Sequence, residues 1–430
     1  MLIQQNDNKR VLYLSNVSVI SMAKSNVFYF NPTCELAVAN GSFSYMPPLL
    51  LQKMESDLAI LPFVFATEND FVLTENPPSS EFIQQLKDAG FNVPRFRNLA
   101  ELEAFPEGTF DAISPWGWSP AAHFKLRNLK EKCGEEFKTS PVFNWNENAK
   151  FLFERATSLN FLIDLLNQNP FHGFIDRSMS GVIVTSIEEI ESVLSKKQEL
   201  VLKAPLSSSG RGIQFIRNGI LNNSNKQWIS GVLKQQKYVI AEPILEKLAD
   251  FSFQFRISSE SEIDYLGLSF FETNTNGQYK GSFIHQELTD IFTNEGSEKL
   301  PGRIKLAAHA IKEALKLSVY AKWHRGFLGV DAMLIRNGEQ ILIQPCVEIN
   351  CRANMGILTL LLENKIDQEV KGKFELFYGS AGEFDVFAKN KKRNNPLLFR
   401  KGKLFSGFLP LVEPENQQKF GAYFSLGSAK

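Results

Sequence analysis

The sequence predicts a mixed fold, an N-terminal α/β domain with a mainly parallel sheet followed by a larger α+β region. Three observations carry that expectation. Short apolar runs alternate with helical patterns over residues 25–145, as strand–helix–strand units do. From residue 200 onward strand-like runs follow one another; in Phe251–Ile257 the apolar Phe251, Phe253, Phe255 and Ile257 alternate with Ser252, Gln254 and Arg256. Asn337-Gly338, the preferred pair of a two-residue type I′ turn, separates two further runs.

Taken in order, residues 1–24 read as an N-terminal tail. Val11–Ala23 follows Lys9-Arg10, but Ser15, Asn16 and Ser18 interrupt its apolar stretch, which argues against a secretory signal. Val27–Phe30 is a buried strand ended by Asn31-Pro32, and Leu58–Phe65 reads as a second. Glu81–Asp88 reads as a helix closed by Gly90, and Phe110–Ser114 as another strand. Ser119 and Pro120 supply an N-cap and a first-turn proline. Asn31 and Glu35 follow one predicted strand, Trp116 and Trp118 another, where open α/β sheets bind ligands. Turn chemistry and aromatic packing account for these four equally well.

Residues 151–168 carry Leu159, Leu162, Ile163 and Leu166 at helical spacing ahead of Pro170, and Glu188–Leu194 is a second short helix. Strands are expected at Leu200–Leu206, Ile213–Arg217 and Tyr238–Ile244. Gly302–Trp323 reads as one amphipathic helix with Ile304, Ala307, Ile311 and Leu315 on one side. Gly329–Ile335 and Gln340–Gln344 form the hairpin. Residues 381–430 are rich in Phe and Lys and carry no readable motif.

Composition narrows the function classes. A chain of 430 residues suggests three domains or subdomains at about 150 residues each. Lys plus Arg equals Asp plus Glu at 47 each, so global charge points to neither nucleic acid nor an anionic membrane. No apolar run reaches the roughly 18 residues of a membrane span. Cys34, Cys133, Cys346 and Cys351 contain no CxxC pair and read as reduced thiols of a cytoplasmic protein.

Two constellations carry chemistry. The first is Lys203, inside the apolar run Leu200-Val-Leu-Lys, followed by Ser207-Ser208-Ser209-Gly210-Arg211-Gly212. A lysine within an apolar strand is costly unless its ammonium meets an anion. The small-residue loop can turn several backbone N–H groups toward phosphates. It joins two strands and lacks GxxxxGK[ST], so it is neither a Rossmann fingerprint nor a Walker loop. A tight hairpin with a snorkelling lysine is the plain alternative.

The second is Asp331 on one strand with Glu348, Asn350 and Arg352 beyond the return strand. Two carboxylates and an amide oxygen suit Mg²⁺, which bridges phosphates. Arg352, two residues past Asn350, shares its face and adds a planar cation for carboxylate or phosphate. A surface carboxylate pair near a helix cap is the alternative.

In this order and separation the two constellations resemble the ATP-grasp superfamily, whose fold holds ATP between two α+β subdomains. The likeness covers roughly residues 146–375, with 146–237 and 238–380 as the subdomains, 25–145 resembling the domain that precedes them, and 381–430 a C-terminal extension. The resemblance implies phosphate contacts from Lys203 and the Ser207–Gly212 flap, adenine contacts from the Glu242–Ile244 hinge, ribose held by Asp250, and Mg²⁺ (Mn²⁺ as an alternative) on Asp331, Glu348 and Asn350. In the carboxylase branches the arginine of Glu-x-Asn-x-Arg faces the reacting acid, which implies that role for Arg352. Where relatives carry a lysine at the first helix, this chain has Arg155, with Lys150 upstream. Arg256 and Lys280 are further candidates for phosphate or acyl-phosphate contact, and Pro243 removes one hinge N–H. His285 and His324 read as structural.

One departure concerns register. A two-residue Asn337-Gly338 turn sets Arg336 against Glu339 and Asp331 against Gln344, not Glu348. Pro345 cannot donate to a ladder, so an irregularity is expected there. Either that irregularity returns Glu348 to Asp331, or Gln344 fills part of its role.

The activity implied is Mg²⁺-dependent ligation, in which a small-molecule carboxylate attacks the γ-phosphate of ATP and the acyl phosphate reacts with an amine or other nucleophile. An ATP-grasp phosphotransferase and a nucleotide-binding protein without turnover are the alternatives. No nucleic-acid or membrane partner is implied, and a homodimer stays open.

Overall fold

The structure, a computed structural model, describes residues 25–168, 173–207, 212–273, 279–291 and 299–427. Strands β1 (Asn26–Tyr29), β2 (Phe71–Leu73), β3 (Arg95–Arg97) and β4 (Ala112–Pro115) form a parallel sheet in the order β3-β2-β1-β4. Helices run between them, as the alternation predicts, and Ser119 caps the helix Pro120–Lys125 by accepting from the Ala122 N–H at 3.2 Å.

One expected strand is absent. Leu61–Phe65 is a 3-10 helix, and the second strand is Phe71–Leu73. Leu58, Leu61 and Phe63 are all buried, and an apolar run buried on every side has no period to separate strand from helix. Pro62 also removes a ladder donor.

Strands β5 (Val182–Val184), β6 (Leu200–Lys203), β7 (Ile213–Ile216) and β8 (Val239–Pro243) make a small antiparallel sheet ordered β5-β8-β6-β7. The β6–β7 connection is the small-residue loop, so it joins two strands as expected. Ser208, Ser209, Gly210 and Arg211 lie outside the described residues.

The largest sheet is antiparallel and nine-stranded. It contains β9 (Glu246–Ile257), β10 (Ile263–Thr273), β11 (Tyr279–Ile284), β12 (Gly326–Asn337), β13 (Gln340–Asn350), β14 (Gly372–Tyr378), β15 (Leu398–Arg400), β16 (Lys403–Pro410) and β17 (Phe420–Leu426), ordered β13-β12-β9-β10-β11-β14-β17-β16-β15. Alternation along β9 places Phe251, Phe253, Phe255 and Ile257 in one core with the helices Arg155–Gln168 and Leu300–Lys316. Ser252 and Gln254 face the other way and are buried too. The amphipathic helix is two helices, because Ser318 ends Leu300–Lys316 and caps Val319–Trp323 through the Tyr320 N–H at 3.2 Å.

The hairpin register differs from a turn centred on Asn337-Gly338. Asn337 pairs with Gln340, so Gly338 and Glu339 make the turn, and Gly338 has the positive φ of 61° that glycine tolerates. Gln344 then faces Met333, and three residues, Pro345 to Val347, stand against Ala332 alone. This bulge brings Glu348 directly opposite Asp331.

Beyond residue 381 the helix Glu383–Asn394 is followed by β15, β16 and β17 of this sheet. Strand β17 lies between β14 and β16, and Phe384, Phe408 and Phe424 are buried in a core shared with the N-terminal domain. The Asp57 carboxylate accepts from the Lys419 and Phe420 N–H groups at 2.9 and 3.1 Å, and Glu413 accepts from Ser79 at 2.5 and 2.7 Å.

Candidate active site

Lys203 ends β6 beside β8, and its ammonium lies 2.7 Å from the Glu242 carboxylate. That ion pair answers the cost of a buried lysine. Ile244 follows β8 directly. The flap is pinned at its base: the Ala204 N–H donates to the Gly212 carbonyl at 2.8 Å, and a Cβ on Gly212 would come within 2.5 Å of the Ser207 side chain. A side chain at 212 would therefore force the two ends apart.

Arg155, the first residue of its helix, is buried and joins the flap to the hairpin. Its Nη1 donates to the Ala204 carbonyl (2.8 Å) and Ser207 Oγ (2.5 Å), and its Nη2 lies 3.2 Å from the Glu348 carboxylate. Lys150 sits in the preceding 3-10 helix Glu147–Phe153.

On the hairpin, Asp331 faces Glu348 on β13 and Ser252 on β9. The Asn350 amide donates to Asp331 at 2.8 Å, and its oxygen accepts from Arg352 at 2.9 Å. Arg352 reaches further, donating through Nε to Glu35 of the N-terminal domain at 2.8 Å. Burial, and then the charge of Glu348, push the Asp331 carboxyl up to about 7. A divalent cation would relieve that repulsion. Oε1 of Gln344 is buried without a hydrogen-bond partner among the described residues. No group of three or more His, Cys, Asp and Glu side chains gathers as a metal cluster among the described residues. Two carboxylates, with the Asn350 amide oxygen once it leaves Arg352, are hard ligands that would fit Mg²⁺ with water in the remaining positions.

The sequence matches no family model and no curated protein sequence. Among solved structures it is similar to the biotin carboxylase of Campylobacter jejuni in complex with an ATP analogue. There the identity is 11%, the match covers 95% of this chain and 88% of that one, and the TM-score is 0.50. It is also similar to N5-carboxyaminoimidazole synthetase of Staphylococcus aureus complexed with ADP, at 12% identity, 94% of both chains and a TM-score of 0.46. The chain has the ATP-grasp fold.

Within the ATP-grasp fold the remaining candidates fall in different places. Asp250 lies on the polar face of β9, accepting from Lys247 at 2.6 Å and from the Thr273 hydroxyl at 3.1 Å. Arg256 shares that face but is exposed, four residues or about 13 Å beyond Ser252. Lys280 binds Glu272 at 2.8 Å, and Glu272 also binds Lys373 at 2.7 Å. Because Thr273 points toward Asp250, its neighbour Glu272 points to the opposite face and takes Lys280 with it. The structure thus gathers Arg155, Lys203, Ser207, Gly212, Glu242, Asp331, Glu348, Asn350 and Arg352, and leaves Arg256 and Lys280 aside.

Trp116 and Trp118 are packing residues: Trp116 meets Phe30 edge-on at 4.9 Å, and Trp118 lies 4.4 Å from the His123 ring. His324 is buried and bonds the Phe327 carbonyl at 2.8 Å, while His285 bonds that of Val370 at 2.9 Å.

Sequence reasoning missed a buried polar chain beside the hairpin. Asn354 caps the helix Met355–Glu363 and donates to Gln254 at 2.9 Å, and Gln254 donates to Ser269 at 2.9 Å. The alternation of β9 exposes Gln254 as polar-facing, but nothing in the sequence says that this face is buried.

Proposed function

We propose that the protein is an ATP-dependent ligase joining a carboxylate substrate to an amine or another nucleophile through an acyl phosphate. The observation that supports this is the juxtaposition of Asp331 and Glu348, set in register by the Pro345 bulge, with Arg155 between Glu348 and the flap. In this reading residues 146–237 and 238–380 are the two nucleotide-binding subdomains and 25–145 the domain that precedes them.

Asp331, Glu348 and Asn350 would hold Mg²⁺, which when bound offsets charge on phosphate oxygens. Lys203, Arg155, Ser207 and Gly212 bind the phosphates, and Glu242 keeps the lysine in place when no nucleotide is there. The Glu242 carbonyl and Ile244 N–H take adenine, and Asp250 the ribose. Arg352, fixed at both ends by Asn350 and Glu35, orients the acid. Its guanidinium loses charge stability by burial, but the Glu35 carboxylate outweighs that and keeps it protonated. The flap excludes water from the acyl phosphate. This is catalysis by placement and charge, and it needs no protein nucleophile. The four cysteines are buried free thiols, which suits a cytoplasmic setting. No helix among the described residues is long and apolar enough to cross a membrane.

Calorimetric titration of Mg-ATP into the full chain tests the reading. Micromolar binding is expected, weakened at least about tenfold by Lys203→Ala and stripped of its metal dependence by Glu348→Gln. Absence of binding by the wild type overturns the proposal. Release of ADP and phosphate only when acid and nucleophile are both supplied separates a ligase from a phosphotransferase.

A further inference from the structure

Away from the hairpin, a cavity of about 350 Å³ opens at the carboxyl ends of β1 and β4. Open parallel sheets bind ligands at this edge, and the volume is that of a small-molecule site. Its walls carry a carboxylate and an ammonium that form no ion pair with each other.

Glu55, on the helix Leu49–Asp57, accepts from the Thr33 hydroxyl at 2.5 Å and the Thr33 N–H at 3.3 Å, both at Oε1. Its Oε2 has no protein donor among the described residues, and burial raises the carboxyl above its ordinary range. Lys125 ends the helix Pro120–Lys125, its ammonium 3.2 Å from the Tyr29 hydroxyl and 4.6 Å from that ring's centre. The wall also carries polar Asn31, Ser44 and Ser119 and large apolar side chains open to water: Met46 is 70% and Phe124 50% exposed, and Phe43 stands beside them. Large apolar side chains ringing a charged cavity call for a ligand with an apolar body.

The cavity also borders the candidate active site. Cys34 lines it, and the next residue, Glu35, holds Arg352.

We propose that this cavity binds an apolar α-amino acid, with its ammonium on Glu55, its carboxylate on Lys125 and its side chain against Phe43, Met46 and Phe124. A simple acid would bring a second negative charge to Glu55, and a simple amine would leave Lys125 with only the more distant charges of Glu75 and Glu55. Only the amino acid's service as one of the two substrates rests on the ligase reading; its binding does not.

The test is calorimetry on the full chain with L-leucine, L-methionine and L-phenylalanine, and with 3-phenylpropionate and 2-phenylethylamine as probes lacking one charge. At least one amino acid is expected to bind about tenfold or more tighter than either truncated probe. Glu55→Gln should weaken the amino acid and the amine but not the acid, and Lys125→Met should weaken the amino acid and the acid but not the amine. The proposal is overturned if no amino acid binds, if all probes bind alike, or if both variants weaken every probe equally. Mg-ATP titrated into the same samples keeps the two readings apart. Nucleotide binding without amino-acid binding removes only the subsite, whereas amino-acid binding without nucleotide binding removes only the ligase.

Discussion

On the hinge side of the candidate site Lys203 and Glu242 neutralise each other at 2.7 Å, within one small sheet. On the hairpin side two carboxylates face each other across β12 and β13, and the nearby arginines reach only the outer members, Glu348 and Asn350. Asp331 keeps the Asn350 amide bond, but burial and the like charge of Glu348 outweigh it and the carboxyl rises to about 7. The hinge pair is therefore neutral without a ligand, whereas on the hairpin Arg155 answers Glu348 and Asp331 has no ion pair among the described residues. On the proposed reading a lysine can be stored beside its own counterion, whereas carboxylates that are to take a metal must stay open to it.

That contrast can be broken by substitution. Asp331→Asn should lower turnover by about 100- to 1,000-fold while leaving the ligand-free protein as stable as the wild type or more so. A phosphate-release assay with a thermal melt checks both, and a lower melting temperature would break the charge argument. Lys203→Met should do the reverse to the fold, costing about 2 kcal/mol because the half-buried Glu242 is left unpaired. Adding Glu242→Gln should restore most of that in urea titrations without restoring nucleotide affinity. Gly117→Ala should cost about 1–3 kcal/mol, since a Cβ there would run into Cys34 Sγ and come 3.1 Å from Arg352 Cβ. Arg352→Lys keeps the charge but loses the fork joining Glu35 to Asn350. A fall in kcat of about tenfold at unchanged Mg-ATP affinity is expected from steady-state kinetics.

The smallest effect separates structural histidines from the site. Burial pulls His324 down to about 4, while the unfolded chain titrates near 6.5. The unfolded state thus binds more protons between these values, so stability is full above about 6.5 and is lost as pH falls toward 4. Urea titrations at pH 7 and 5.5 should differ by about 1 kcal/mol from this residue, and His324→Gln should remove that difference.

Much of this was legible in the sequence because it is local. The period of two in β9 and the lysine before a small-residue loop each state their geometry within a dozen residues, and Asn337-Gly338 marks the hairpin though not the residues at its turn. What was hidden depends on partners far along the chain. Pro345 announces an irregularity, but only the pairing of β12 with both β9 and β13 shows that Glu348, not Gln344, meets Asp331. Arg256 and Lys280 look alike as basic strand residues, but Lys280 goes with Glu272 to the opposite face, whereas Arg256 shares the face and lies about 13 Å along it from Ser252. The Phe-rich C-terminal stretch has no motif because its role is to pair β17 with β14 and cover the N-terminal domain.

That pairing bears on how the protein is made. Residues up to 115 complete the parallel sheet early in synthesis, but the strand that fills the gap between β14 and β16 begins at Phe420. At about 5–20 residues per second, the nascent N-terminal domain waits on the order of tens of seconds before Glu413, Lys419 and Phe420 emerge to clamp Ser79 and Asp57. During that interval the apolar flank of the first domain is uncovered, and β14, once Tyr378 has been added, is an unpaired edge until Phe420 follows.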